Sequence, residues 1–171
     1  MSSGVSVRPA LAADGDAVAA IFGHYVTVSV ASFEEVPPGA GHWRGRIEAA
    51  ARTGHSFLVA ELEGRVVGFA LTGVFRPKPA YGRTVEVTIY VEDGATGQGI
   101  GRVLLERLVE EAAAAGFEQM IAVVTVGVDP SSAPFFTSAG FAAVGVLPGV
   151  GHKHGRRLDI GLFQRDLREP R

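Results

Sequence analysis

Apolar residues recur along this chain at two spacings, and the spacing switches from segment to segment. Over residues 14–28, Val18, Ile21, Phe22 and Tyr25 fall at the interval of a buried helical face, with Asp14 placed as N-cap. After the break at Pro37-Pro38-Gly39, residues 42–52 are expected to form a second helix. Two β-rich runs follow, 57–62 and 66–72, joined at Glu63-Gly64, a pair suited to a tight hairpin turn. The Arg76-Pro77-Lys78-Pro79 segment is incompatible with regular structure. Residues 85–91 read as a strand, and residues 94–101 as a glycine-rich loop. A helix over 102–115 has the right composition and is stopped by Gly116. A strand at 120–126, a short helix at 131–139 with Pro134 in its first turn, and strands at 144–150 and 158–163 complete the chain. One further short strand is expected at 5–8.

Strands that are partly hairpin-linked, with helices interposed, point to an α/β (α+β) fold. A doubly wound sheet would alternate strand and helix throughout, so the expectation is a mixed, mostly antiparallel central sheet flanked by helices. At 171 residues, 1–171 is one domain, long enough to bury a sizeable core.

Apolar residues make up 47% of the chain and charged residues 20%, the balance of a soluble globular protein. A net charge of −2, with both signs interspersed, offers no basic footprint for nucleic acid and points to a small-molecule partner. No apolar run is long enough to span a bilayer, and the Ala-rich stretch near the N-terminus is interrupted by Asp14 and Asp16, unlike a signal peptide. There is no cysteine, which removes disulfides, thiolate–metal sites and a cysteine acyl-enzyme, and fits a cytoplasmic location.

The stretch that carries chemistry is a strand, then Gly97-Gln98-Gly99-Ile100-Gly101-Arg102, then a helix. This layout cradles phosphate, because glycines let backbone N–H groups approach an anion at a helix N-terminus. A P-loop requires Lys and then Ser or Thr after the last glycine, and Arg102-Val103 stands there. A dinucleotide fingerprint requires its third glycine one position later and an acid at the next strand end, where Thr125 and Val126 stand. The pyrophosphate of coenzyme A is the third reading, and an unliganded glycine loop is the plain alternative.

Beyond the loop, separated motifs run in order: His24-Tyr25, Ser32-Phe33, Phe57-Leu58-Val59-Ala60, Ala80-Tyr81 and the run from Thr84 to Val91. After the loop come Ala114-Ala115-Gly116-Phe117, Ala139-Gly140-Phe141, Lys153-His154-Gly155 and Asp159. Together they resemble the GNAT superfamily of N-acetyltransferases, and within it the phosphinothricin acetyltransferase branch, over nearly the whole chain.

The resemblance implies transfer of acetyl from acetyl-CoA to the amine of a small, amino-acid-like acceptor, in a homodimer. Glu86 is then the general base, relaying the ammonium proton through a water. By strand alternation Glu86 shares a face with Thr88 and Tyr90. Without the family, a surface carboxylate in a salt bridge is the ordinary reading of Glu86. The resemblance further implies that backbone at Ile89, Tyr90 and Val91, where the strand splays at a bulge, polarises the thioester. Thr96, Gly97, Gln98, Gly99, Gly101 and Arg102 would hold the cofactor, with Asp129 and Ser131 beyond. His154 is a second catalytic or acceptor-binding candidate. It lies two residues after His152, a spacing that on one strand face also suits a metal ion. Tyr25, Phe33, Phe75, Tyr81 and Thr88 are acceptor-pocket candidates, the aromatic ones equally suited to core packing.

Four positions depart from the branch's pattern. Thr96 stands for an Arg or Gln, Val128 for an Asn near the pantetheine arm, Phe136 for a Tyr that protonates the leaving thiolate, and His152 for a Phe. A non-catalytic acyl-CoA sensor and a protein acetyltransferase remain as alternatives.

Overall fold

The computed structural model describes residues 4–168. Seven strands form one sheet in the order β1-β2-β3-β4-β5-β7-β6. These are β1 (Val5–Pro9), β2 (Phe57–Leu62), β3 (Arg65–Val74), β4 (Thr84–Val91), β5 (Gln119–Val126), β6 (Ala142–Lys153) and β7 (Arg156–Asp166). Every neighbouring pair is antiparallel except β4 and β5, which run parallel through a helical crossover. The mixed, mostly antiparallel sheet expected from the segment order is the one present.

Among the described residues four helices flank it: α1 (Gly15–Val28), α2 (Ala40–Thr53), α3 (Ile100–Ala114) and α4 (Ser132–Ser138). The sheet separates two apolar cores. On one face, Leu104, Leu105 and Leu108 of α3 and Phe136 of α4 pack against Leu58, Val85 and Ala122. On the other, Val18 and Phe22 of α1 and Trp43 and Ile47 of α2 pack against Val59, Phe69 and Leu71. Strand alternation produces this division: along β4, Val85 and Val87 join the first core, while Glu86, Thr88 and Tyr90 take the opposite face.

The Glu63-Gly64 turn forms as expected. Leu62 faces Arg65, and Glu63 and Gly64 carry φ of 53° and 75°, the pair of positive values a two-residue type I′ hairpin needs. Asp14 precedes α1 but does not cap it with its side chain. Its carboxylate instead accepts from the Arg8 guanidinium at 2.8 Å and from Leu11 N–H at 2.7 Å. The Arg76–Pro79 region is not wholly irregular, since a 3₁₀ turn forms at Pro79–Tyr81 with Pro79 leading it. The glycine loop ends earlier than expected, for Gly101 lies inside the first turn of α3.

Candidate functional site

The geometry that matters begins where β4 and β5 part. Their pairing runs from Thr84↔Gln119 to Val87↔Ala122 and stops, although both strands continue for four more residues. The sheet therefore opens into a wedge between 88–91 and 123–126. The ladder between β3 and β4 continues without a register shift to Gly68↔Val91. The expected splaying is present, and it is a parting of strands with no bulge in β4.

Glu92 N–H donates to Val67 O at 2.8 Å. Antiparallel strands alternate the direction of their amides, so Tyr90 N–H faces β3 while the amides of Ile89 and Val91 face the wedge. Two of the three expected backbone contacts are thus available there. Tyr90 contributes its side chain instead, half-buried between Phe22, Tyr25 and Phe69. Burial pushes its phenol up to about 12, so it stays neutral.

The wedge continues into a cleft of about 820 Å³. Tyr25, Phe33, Glu86, Thr88, Asp129 and His154 all reach its wall. The Glu86 carboxylate forms no ion pair or hydrogen bond among the described residues, which sets aside the surface salt bridge. Burial raises its carboxyl above the ordinary value, with a weaker opposing pull from Arg76. Tyr25 Oη donates to Val91 O at 2.5 Å, tying α1 to the edge of the wedge.

Phe75 and Tyr81 do not belong to this cleft. Their rings meet edge to face at 5.8 Å, and Tyr81 lines a separate cavity of about 210 Å³ with His55, Arg76, Lys78 and Phe117. His152 and His154 do not share a strand face either. His154 occupies the β6–β7 turn with φ of 50°, followed by Gly155 at 69°, and this turn carries it to the cleft.

The phosphate-binding layout is well formed. Gly97 and Gly99 have φ of 76° and 81°, values that disfavour L side chains, and a Cβ at either would meet nothing within 4 Å. Gly99 precedes α3, a helix of 15 residues whose first amides receive no side-chain cap. Open space beside uncapped amides at a helix N-terminus fits a pyrophosphate. Gln98 is exposed on the same loop. Thr96 turns its hydroxyl back to Asp93 O at 3.0 Å. Arg102 donates to Glu106 at 2.8 Å, yet it stands in the first turn of α3, where only a nearby anion favours a cation.

Asp129 and Ser131 serve each other more than a ligand. The Asp129 carboxylate accepts from Ser131 N–H at 2.9 Å, Ser131 Oγ at 2.7 Å and Ser132 Oγ at 2.9 Å. These bonds hold the entry to α4 and keep the carboxyl below its usual range. Ser131 does not reach the cleft wall, whereas Ser132 does. Phe136 lines the wedge and packs edge to face on Phe141 at 5.2 Å, with no hydroxyl to offer.

Sequence reasoning named Ser32-Phe33 but missed Arg46, Trp43 and residues 29–31 of the segment 29–33. Three bonds hold that segment across the wedge: Thr125 Oγ1 to Val30 O at 2.8 Å, Tyr90 Oη to Ala31 O at 3.2 Å, and Lys153 Nζ to Ser32 O at 2.7 Å. Trp43 and Arg46 sit one helical turn apart on α2, and that spacing was the only signal available.

The model of the Acetyltransferase (GNAT) family matches residues 23–141. The chain is 39% identical to the phosphinothricin N-acetyltransferase of Alcaligenes faecalis, over 90% of this chain and 78% of that one. It is 36% identical to the L-methionine sulfoximine/L-methionine sulfone acetyltransferase of Pseudomonas paraeruginosa, over 95% of this chain and 94% of that one. The crystal structure of a GNAT superfamily phosphinothricin acetyltransferase from Sinorhizobium meliloti in complex with AcCoA superposes with a TM-score of 0.90. That pair shares 38% identity over 95% of this chain and 88% of that one.

Proposed function

The chain belongs to the acetyltransferase (GNAT) family and is an acetyl-CoA-dependent N-acetyltransferase, and on that premise we propose that its acceptor is the amine of a small amino acid of the phosphinothricin, methionine sulfoximine or free amino-acid type. The observation that carries the reading is the placement of Glu86. It stands two residues before the wedge, which begins at Thr88, half-buried and with its carboxylate in no ion pair among the described residues, on the strand that leads into the phosphate loop.

Acetyl-CoA is the second substrate, and it supplies the thioester. The uncapped amides of α3 and the backbone of Gly97 and Gly99 hold its pyrophosphate, and the wedge receives its arm. Glu86, ionised, takes a proton from the acceptor ammonium through a water, and the neutral amine attacks the acyl carbon. The amides of Ile89 and Val91 face the wedge and stabilise charge on the acyl oxygen. Collapse of the resulting adduct breaks the C–S bond and expels the CoA thiolate; Phe136 has no hydroxyl, so the thiolate takes its proton from solvent, which also receives the second proton of the amine nitrogen. Tyr25, Phe33, Thr88 and His154 shape the acceptor's end of the cleft.

We further infer a homodimer formed through β6, whose outer residues Val144, Val146 and Val150 are more than half exposed on an edge strand. A cytoplasmic setting is supported by the lack of any cysteine.

Thiol release from acetyl-CoA tests the reading, using phosphinothricin, methionine sulfoximine, methionine sulfone, free amino acids and short peptides. Turnover of a free amino acid that collapses in Glu86→Gln is the expected result. Turnover of peptides alone would move the protein to the protein acetyltransferases. Tight acetyl-CoA binding without any turnover would make it a sensor.

A further inference from the structure

Arg46 projects from α2 into the wall of the cleft and is half-buried there. Its guanidinium forms no ion pair and no hydrogen bond among the described residues. Its guanidinium lies against the Trp43 ring, 5.4 Å from the centroid. Burial lowers its pKa, with Glu34 the one carboxylate acting against that. A guanidinium remains charged at any working pH, so the cleft holds a cation that is partly stripped of water and unmatched.

Its position relative to Glu86 follows from the sheet. Gly73 stands directly opposite Glu86 in the β3–β4 ladder. One terminal nitrogen of Arg46 lies 3.9 Å from where a Cβ of Gly73 would be. Directly opposed residues hold their Cβ positions about 5 Å apart on one sheet face. The guanidinium therefore covers the position beside the general base, and Gly73 leaves that position free of any side chain. The other cations near the cleft are placed differently. Lys153 Nζ is committed to Ser32 O, Arg156 reaches the cleft wall from the start of β7 but is exposed, and Arg76, which pulls on the Glu86 carboxyl, lies outside the cleft wall.

We propose that Arg46 is a specificity-determining residue that grips the α-carboxylate of the acceptor while Glu86 receives the amine on the same carbon. An α-amino acid presents a cation and an anion on one carbon, and the cleft presents an anion on β4 and, over the facing position of β3, a cation from α2. The planar fork of Arg matches a carboxylate through two parallel N–H···O bonds, which a point-charge Lys does not reproduce. The proposal names the substrate class as α-amino acids and excludes simple amines as good acceptors. It rests on the acetyl-transfer reading for the role of the amine, but the anchoring of the carboxylate has a test of its own.

Two experiments decide it. The first compares methionine sulfone with its decarboxylated amine as acceptors in the native enzyme, Arg46→Met and Arg46→Lys. Loss of a charge-assisted bidentate contact costs about 10- to 100-fold. Arg46→Met is expected to lose that much kcat/KM on the amino acid, chiefly through KM. Its activity on the amine and its KM for acetyl-CoA should stay within about threefold. Arg46→Lys should recover part of the loss. Equal losses on both acceptors would reduce Arg46 to a packing residue and overturn the proposal.

The second experiment needs no turnover. Trp43 is the only tryptophan in the chain and lies against Arg46, so its fluorescence reports on this spot. Methionine sulfone, added without acetyl-CoA, should give a saturable change in the native protein and in Glu86→Gln and none in Arg46→Met. A response that survives Arg46→Met, or that the native protein lacks, refutes the anchor whatever the assays give. An Arg46-dependent response without turnover would instead keep the anchor and sink the acetyl-transfer reading of this acceptor.

Discussion

Lys153 Nζ donates to the carbonyl oxygen of Ser32 across 2.7 Å, joining the end of β6 to the segment that follows α1. Lys153 is only 3% exposed, so its ammonium has exchanged water for that carbonyl and for the distant carboxylates of Glu34 and Glu35. The same segment carries Phe33 into the cleft wall. The sequence offered Lys153 as the first residue of the Lys153-His154-Gly155 motif, and in the structure the lysine acts as a strut under one wall of the cleft.

Replacing the strut tests this. Lys153→Met keeps the apolar stem, removes the buried charge and leaves Ser32 O without its donor. An unsatisfied buried acceptor costs about 1–3 kcal/mol, offset in part by the desolvation no longer incurred. The expected outcome is a lower denaturation midpoint with a higher KM for the acceptor and an unchanged KM for acetyl-CoA. Urea titration and steady-state kinetics measure these, and an unchanged acceptor KM would show that the segment 29–33 does not shape the site.

Glu86 yields a pH prediction whose sign follows from burial. Its folded-state pKa is raised, so the folded protein holds this proton more tightly than the unfolded chain does. Glu86 therefore costs stability above its raised pKa, and that cost disappears as pH falls through the raised value toward the ordinary carboxyl value. Glu86→Gln should melt about 1–3 °C higher than the native protein at pH 8, and the gain should shrink toward pH 4. Activity moves the opposite way. General-base loss lowers kcat/KM by about 10²- to 10⁴-fold, and the acid limb of the native pH profile should disappear with it. Differential scanning calorimetry at two pH values and a pH–rate profile check both halves. A mutant that is less stable at pH 8, or that retains the acid limb, would remove Glu86 from the role.

What the sequence made legible was what neighbours in the chain decide. Turn chemistry at Glu63-Gly64, the apolar stripe of α1, the alternation that puts Glu86 with Thr88 and the glycine loop before α3 all depend on residues a few positions apart. The features that went unread depend on long-range partners. Arg46 acquires its meaning from Gly73, which lies across the sheet and opposite Glu86. Phe75 and Tyr81 are drawn to one another by the 3₁₀ turn at Pro79–Tyr81, and no periodicity announces that. His152 and His154 looked like strand neighbours because a hairpin turn at His154-Gly155 was not recognised, although His-Gly with positive φ at both residues is turn chemistry.

The phosphate loop can be tested at a residue whose side chain would touch no protein atom. At Gly99 an added Cβ meets nothing within 4 Å, yet φ is 81° and the space it would enter is the one assigned to the pyrophosphate. Gly99→Ala should therefore cost about 1–2 kcal/mol of stability from backbone strain. It should also raise the KM for acetyl-CoA at least about tenfold, with the acceptor KM unchanged. A loss of stability alone, with acetyl-CoA affinity intact, would place the pyrophosphate elsewhere.

The dimer inferred through the outer strand can be tested at one residue. Val144, Val146 and Val150 are 59%, 56% and 57% exposed on β6, which has β7 on one side and, among the described residues, no strand on the other. An exposed apolar edge is a template for pairing, and a second copy of the same strand is the partner that satisfies it symmetrically. The native protein should sediment as a dimer at micromolar concentration, and Val146→Glu should weaken that dimer by at least about tenfold by placing like charges near a two-fold axis. His154 sits in the turn that ends β6, so the monomeric variant should also show a higher acceptor KM while binding acetyl-CoA normally. A native protein that sediments as a monomer would reject the dimer. A Val146→Glu dimer of native affinity would reject β6 as its interface. The acceptor KM of the monomeric variant then separates a structural dimer from one that completes the site.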